Sequence, residues 1–87
     1  MRMMQIKERE GRIYRYPLHW LALQIIDETP AKGKKGSSCT MKLRFLEPSV
    51  LVPPEKDGEP MRRFCIEPEF NFDTAQQALD AVSIVEF

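Results

Sequence analysis

His19, Cys39 and Cys65 are the side chains with the chemistry for soft-metal binding or covalent catalysis. Two thiolates and an imidazole would give zinc three ligands. None of the three sits at metal-ligand spacing from another, and no fourth ligand accompanies them. A Cys–His pair also makes a nucleophile and its base, but nothing in the order of the chain joins these two types. Both cysteines read as reduced, inert thiols. A disulfide between them requires neighbouring strands with suitable geometry.

The carboxylates Glu67, Glu69 and Asp73 are the next candidates. Alternation puts Glu67 and Glu69 on one side of an extended segment. Asp73, at a helix start, suits a cap facing the helix dipole better than an acid. There is no Gly-rich phosphate loop, CxxC, HExxH or GxSxG pattern. The expectation is a protein that is not an enzyme and that uses no metal, cofactor or small-molecule ligand.

A recognition surface is better supplied. If the central strands pair as their alternation suggests, Trp20 and Gln24 lie beside Lys42, Arg44 and Arg63, with Thr40 among them. An indole among three cations on an open sheet offers stacking and phosphate contacts. Such a face suits a protein partner or a nucleic acid, and it is also what an ordinary solvated sheet looks like. The run Lys32-Gly33-Lys34-Lys35-Gly36 adds a basic loop, either a phosphate contact or a solubilising tip.

These residues must be positioned by a sheet. Met4, Ile6, Ile13, Tyr14 and Tyr16 flank Glu8-Arg9-Glu10-Gly11 and predict a hairpin over 3–8 and 12–16, with Gly11 supplying positive φ. Residues 18–27 fit a strand, with Leu21, Leu23 and Ile25 on one face and Trp20, Ala22, Gln24 and Ile26 on the other. They also fit a helix opened by Pro17. The strand is favoured because Tyr16 would be a poor N-cap. Residues 28–38 read as a flexible loop. Residues 39–47 form the clearest strand, with Met41, Leu43 and Phe45 on one face. A Pro-rich excursion over 48–60 follows, then a strand over 61–67 that Pro68 bends or leaves at an edge.

Asp73 with Gln76, or Thr74 with Gln77, forms a capping box. Ala75, Ala78, Leu79, Val82 and Val85 then make an apolar helical stripe. No glycine closes this helix, so 84–87 either frays or forms a short terminal strand. The fold class expected is α+β: a small antiparallel sheet of three to five meandering strands with one C-terminal helix on one face. Leu21, Leu23, Ile25, Met41, Leu43, Phe45, Phe64, Ile66, Leu79 and Val82 are the expected core.

Bulk properties fit a single domain over residues 1–87. The 13 basic and 13 acidic residues cancel, but unevenly. Residues 1–44 hold ten Lys/Arg against four Asp/Glu (net +6), and residues 45–87 hold three against nine (net −6). Either the fold shows two differently charged faces, or its halves interleave and the charges mix. The N-terminus lacks a signal-peptide pattern, and the most apolar run, Leu18 to Ile26, is too short to span a bilayer. These features suggest a cytoplasmic protein.

The stretch Phe72-Asp73-Thr74-Ala75-Gln76-Gln77-Ala78 resembles the strand-to-helix junction of AP2/ERF-type DNA-binding domains, and Trp20 to Asp27 is similar to their second strand. Such domains are three antiparallel strands and one helix that read DNA with Arg and Trp on the sheet. The resemblance implies Trp20, Lys42, Arg44 and Arg63 as contacts. The Pro48–Pro60 excursion and the neutral net charge depart from that pattern.

The functional expectation is a small non-enzymatic module that works through protein–protein contacts, including self-association as a homodimer. An adaptor, an inhibitor or an assembly subunit of the kind bacteria and phages encode fits it. The alternative is a nucleic-acid-binding domain using the exposed sheet face.

Overall fold

The structure, a computed structural model, describes residues 1–30 and 36–87. Among the described residues it is mostly antiparallel sheet with one short helix near the C-terminus, but the strands number seven, in two sheets. β1 (Arg2–Lys7) and β2 (Ile13–Pro17) form the expected first hairpin. Gly11 turns it with φ 95°, a conformation that costs glycine little. β3 (Leu21–Thr29) and β4 (Ser38–Val52) pair along most of β3. β5 (Arg62–Ile66) and β6 (Glu69–Phe72) both join the other side of β4. Helix α1 (Ala75–Asp80) precedes β7 (Val82–Glu86), which returns to pair with β1. One sheet therefore runs β2-β1-β7, and the other is built around β4.

The two sheets bury a core between them. Met4 and Ile6 of β1 meet Cys39, Met41, Leu43 and Phe45 of β4, Phe70 and Phe72 of β6, and Ala78 of α1. Tyr16 stacks on Phe45 with ring centroids 4.5 Å apart, and Tyr14 meets Phe70 edge-on at 5.3 Å. Aromatic pairs of this geometry add to what area burial alone supplies.

Several expectations are corrected. The segment 18–27 is divided: Leu18–Trp20 form a 3-10 turn, and only from Leu21 does the chain run extended. Pro17, at φ −57°, starts that turn without a side-chain cap. Leu21 pairs with Phe45 and Leu23 with Arg44, so Ala22 bulges out of the ladder. One extra residue reverses the facing of everything after it. Gln24 and Ile26 thus turn toward Leu43 and Met41, while Leu23 and Ile25 lie outside, Ile25 at 44% exposure. Deleting Ala22 should preserve the fold with little change in melting temperature, because 21↔45 and 23↔44 then become consecutive pairs of a regular ladder. Deleting Gln24 should not be tolerated, since it re-phases the strand against Met41. Thermal melts of the two deletions check this.

The loop expected over 28–38 is shorter at both ends, because Glu28, Thr29 and Ser38 belong to strands. The Pro-rich excursion is also shorter, since β4 continues through Pro48 to Val52. Pro48 is tolerated where the β4–β5 register jumps between Leu46 and Leu51, because no ladder amide is needed there.

The helix is six residues, lies against β3, β4 and β6 of the second sheet, and sends Ala78 into the core. Thr74 is its cap, accepting from the Gln77 amide at 3.1 Å, and Gln77 Oε1 accepts from the Asp73 amide at 3.1 Å. Leu79 is 52% exposed. Val82 and Val85 leave the expected helical stripe because β-branched residues gain more in the ladder beside β1, so the terminal strand begins at Val82. Among the described residues, no helix is long and apolar enough to cross a membrane.

Candidate functional surfaces

The sheet face outside β4 keeps only part of the expected constellation. Lys42 and Arg44 alternate outward from the buried Met41, Leu43 and Phe45 and are exposed. Trp20 is half-buried and packs against the core cluster from its 3-10 turn, so its indole is not on this face. Gln24 is also turned away, with Nε2 donating to Met41 Sδ at 3.6 Å. Arg63 lies farther along, paired opposite Leu51. Lys32, Lys34 and Lys35 lie outside the described residues.

In place of Trp20 and Gln24, the face has Leu23 and Ile25 on one side of the cations and Glu67 and Glu69 on the other. With Pro68 they frame a shallow depression of about 240 Å3. Arg44 Nε donates to Glu67 Oε1 at 3.0 Å. At roughly half exposure for both partners, this pair is worth at most about 1 kcal/mol. A second ion pair, Arg9–Asp73 at 3.2 Å, likewise joins a cation of the first half to an anion of the second. Along these pairs the two halves interleave and their charges mix.

The thiols are poorly placed for catalysis. Cys39 is buried and Cys65 exposed, and both are free. Desolvation pushes the Cys39 thiol up, helped by the Glu28 and Asp27 charges. Desolvation also raises Cys65, reinforced by the hydrogen bond from Sγ to Glu67 Oε1 at 3.5 Å and by that carboxylate's charge; Arg44 opposes them. A raised thiol holds little thiolate at neutral pH. Glu67→Gln should therefore lower the Cys65 pKa and speed iodoacetamide alkylation at pH 8, with Cys39 unreactive in both proteins. Mass spectrometry of the alkylated chain checks this. His19 instead lies against Trp20, ring centroids 6.2 Å apart, and its charge helps hold the Glu47 carboxyl low, after the two bonds from Ser49. No group of three metal-ligating side chains occurs among the described residues.

The surface that sequence reasoning missed is an arm. Beyond Leu46, β4 leaves β3 and pairs only with β5. Val50, Leu51, Met61 and Phe64 are all exposed on this two-stranded ribbon. The Cα radius of gyration is 15.9 Å, against about 12 Å for a compact chain of this length. The accessible surface, 6521 Å2, exceeds by about 1,200 Å2 what a compact monomer of this mass shows. The signal was the run Val50-Leu51-Val52 between prolines, which resembles a segment pinned on a core. Comparisons with protein-family models, curated proteins and solved structures found no match.

Proposed function

We propose that this protein is a non-enzymatic binding module acting through protein–protein contacts, with the β4–β5 arm as its contact limb. The observation that supports this most is the apolar ribbon standing outside the core. A two-stranded ribbon without a packed face is marginal in water. Exposed Val50, Leu51, Met61 and Phe64 on such a ribbon are what a partner would cover.

A protein partner suits the sheet face better than nucleic acid does. A phosphate backbone reaching Lys42 and Arg44 would meet Glu67 and Glu69 beside them, and the indole that would stack on a base is packed inward. A photo-crosslinking side chain at Leu51, compared with one at Arg12, tests the reading in cells. A defined protein adduct from position 51 but not 12 is expected. A chain that gives no adduct at 51 and retains no partner in a pull-down counts against it.

A further inference from the structure

We infer that β7 is a self-pairing edge: two copies of this chain join antiparallel through Val82–Glu86 into one six-stranded sheet, β2-β1-β7-β7-β1-β2. This goes beyond the arm and uses a different part of the surface.

The ladder's phase fixes which backbone groups are free. Phe87 donates to the Met1 carbonyl at 2.8 Å, and Lys7 donates to the Ala81 carbonyl at 3.0 Å. The odd residues Ser83 and Val85 therefore turn their backbone groups toward β1, opposite Gln5 and Met3. In an antiparallel strand the alternate residues point the other way. Val82, Ile84 and Glu86 consequently offer N–H and C=O groups outward, with no backbone partner among the described residues.

Proteins protect such edges with proline, bulges or charge. The other edge strands have these devices. β2 holds Arg15 and Pro17, and β3 has the Ala22 bulge with Asp27 and Glu28. β5 has Arg62 and Arg63, and the four-residue β6 follows Pro68 and opens on Glu69. β7, Val-Ser-Ile-Val-Glu, has neither proline nor bulge and a single charge.

The strand is also complementary to itself. A two-fold axis through Ile84 sets Ile84 against its own copy and Val82 against Glu86. Every outward N–H and C=O of the three residues is then paired. The one carboxylate meets a valine instead of its image, and Arg2, opposite Glu86 on β1, stays beside it. Val82 and Ile84 share the side of Ile6 and Met4, their cross-strand partners. Pairing therefore makes the two cores continuous and covers Ile84, now 53% exposed.

Sedimentation equilibrium across a wide concentration range tests this. The average mass should climb from 10.2 kDa toward twice that value. Ile84→Pro removes only an outward amide, so it should stay folded and monomeric. Ile84→Lys and Ile84→Glu should each weaken association on the order of tenfold or more, and an equimolar mixture should recover it, because the two positions oppose each other across the axis. Leu51→Asp/Phe64→Asp should leave the mass unchanged, which separates this edge from the arm. A wild-type chain that stays at 10.2 kDa at its highest concentration would overturn the inference, as would a charge-swapped mixture that fails to associate.

Discussion

Phe45→Ala should lower the melting temperature by roughly 15–30 °C, while Phe64→Ala should hardly move it. Both phenylalanines belong to the β4–β5 sheet, and the difference lies in what surrounds them. Phe45 is fully buried in the core cluster, with its ring stacked on Tyr16. Truncating such a ring removes transfer free energy and leaves a cavity, together about 3–5 kcal/mol. A domain this small shifts by about 4–8 °C per kcal/mol and holds only about 4–13 kcal/mol in total. Phe64, 42% exposed on the arm, has no such cavity to leave, and its loss should stay within about 0.5 kcal/mol, a shift of about 2–4 °C. Circular-dichroism melts of the two variants check this. Equal losses would mean that the core extends into the arm.

The second large effect is expected in binding and not in stability. Leu51→Asp with Phe64→Asp places a charge on each face of the ribbon, because Leu51 shares its face with Arg63 and Phe64 alternates to the other. If a partner packs on the ribbon, each carboxylate must be desolvated or exclude the contact. A cost of at least about 2 kcal/mol, on the order of 30-fold in affinity, follows for a hot-spot position. The melting temperature should remain near that of the parent. Biolayer interferometry against the crosslinked partner measures it, and undiminished affinity would remove the arm from the interface.

Much of the scaffold was legible in the chain. The alternation of Met41, Leu43 and Phe45 marked the buried side of β4 because no residue interrupts it. The helix start was marked to within one residue, since Asp73 with Gln76 and Thr74 with Gln77 both have capping spacing; Thr74 takes the role, and Asp73, expected as the cap, pairs with Arg9 instead. The phase of β3 was not legible. Ala22 fits a regular ladder as well as a bulge, so Leu23 and Ile25 looked interior. Val82 and Val85 fit a helical stripe and a strand equally, and the competition was decided by the free edge of β1, which is distant in sequence. Trp20 was assigned outward from alternation, which ceases to apply within a 3-10 turn. The candidate face accordingly kept Lys42 and Arg44, lost Trp20 and Gln24, and gained Leu23, Ile25, Glu67 and Glu69.

The contact limb is tested most directly by amide hydrogen exchange along β4 in the free chain and with partner bound. The sandwiched half, Cys39 to Phe45, should exchange near the global unfolding rate in both states. The arm half, Val50 to Val52, and its partners Arg62 and Arg63 should exchange far faster in the free chain and slow sharply on binding. Uniform strong protection along all of β4 in the free chain, unchanged by any partner, would contradict the account.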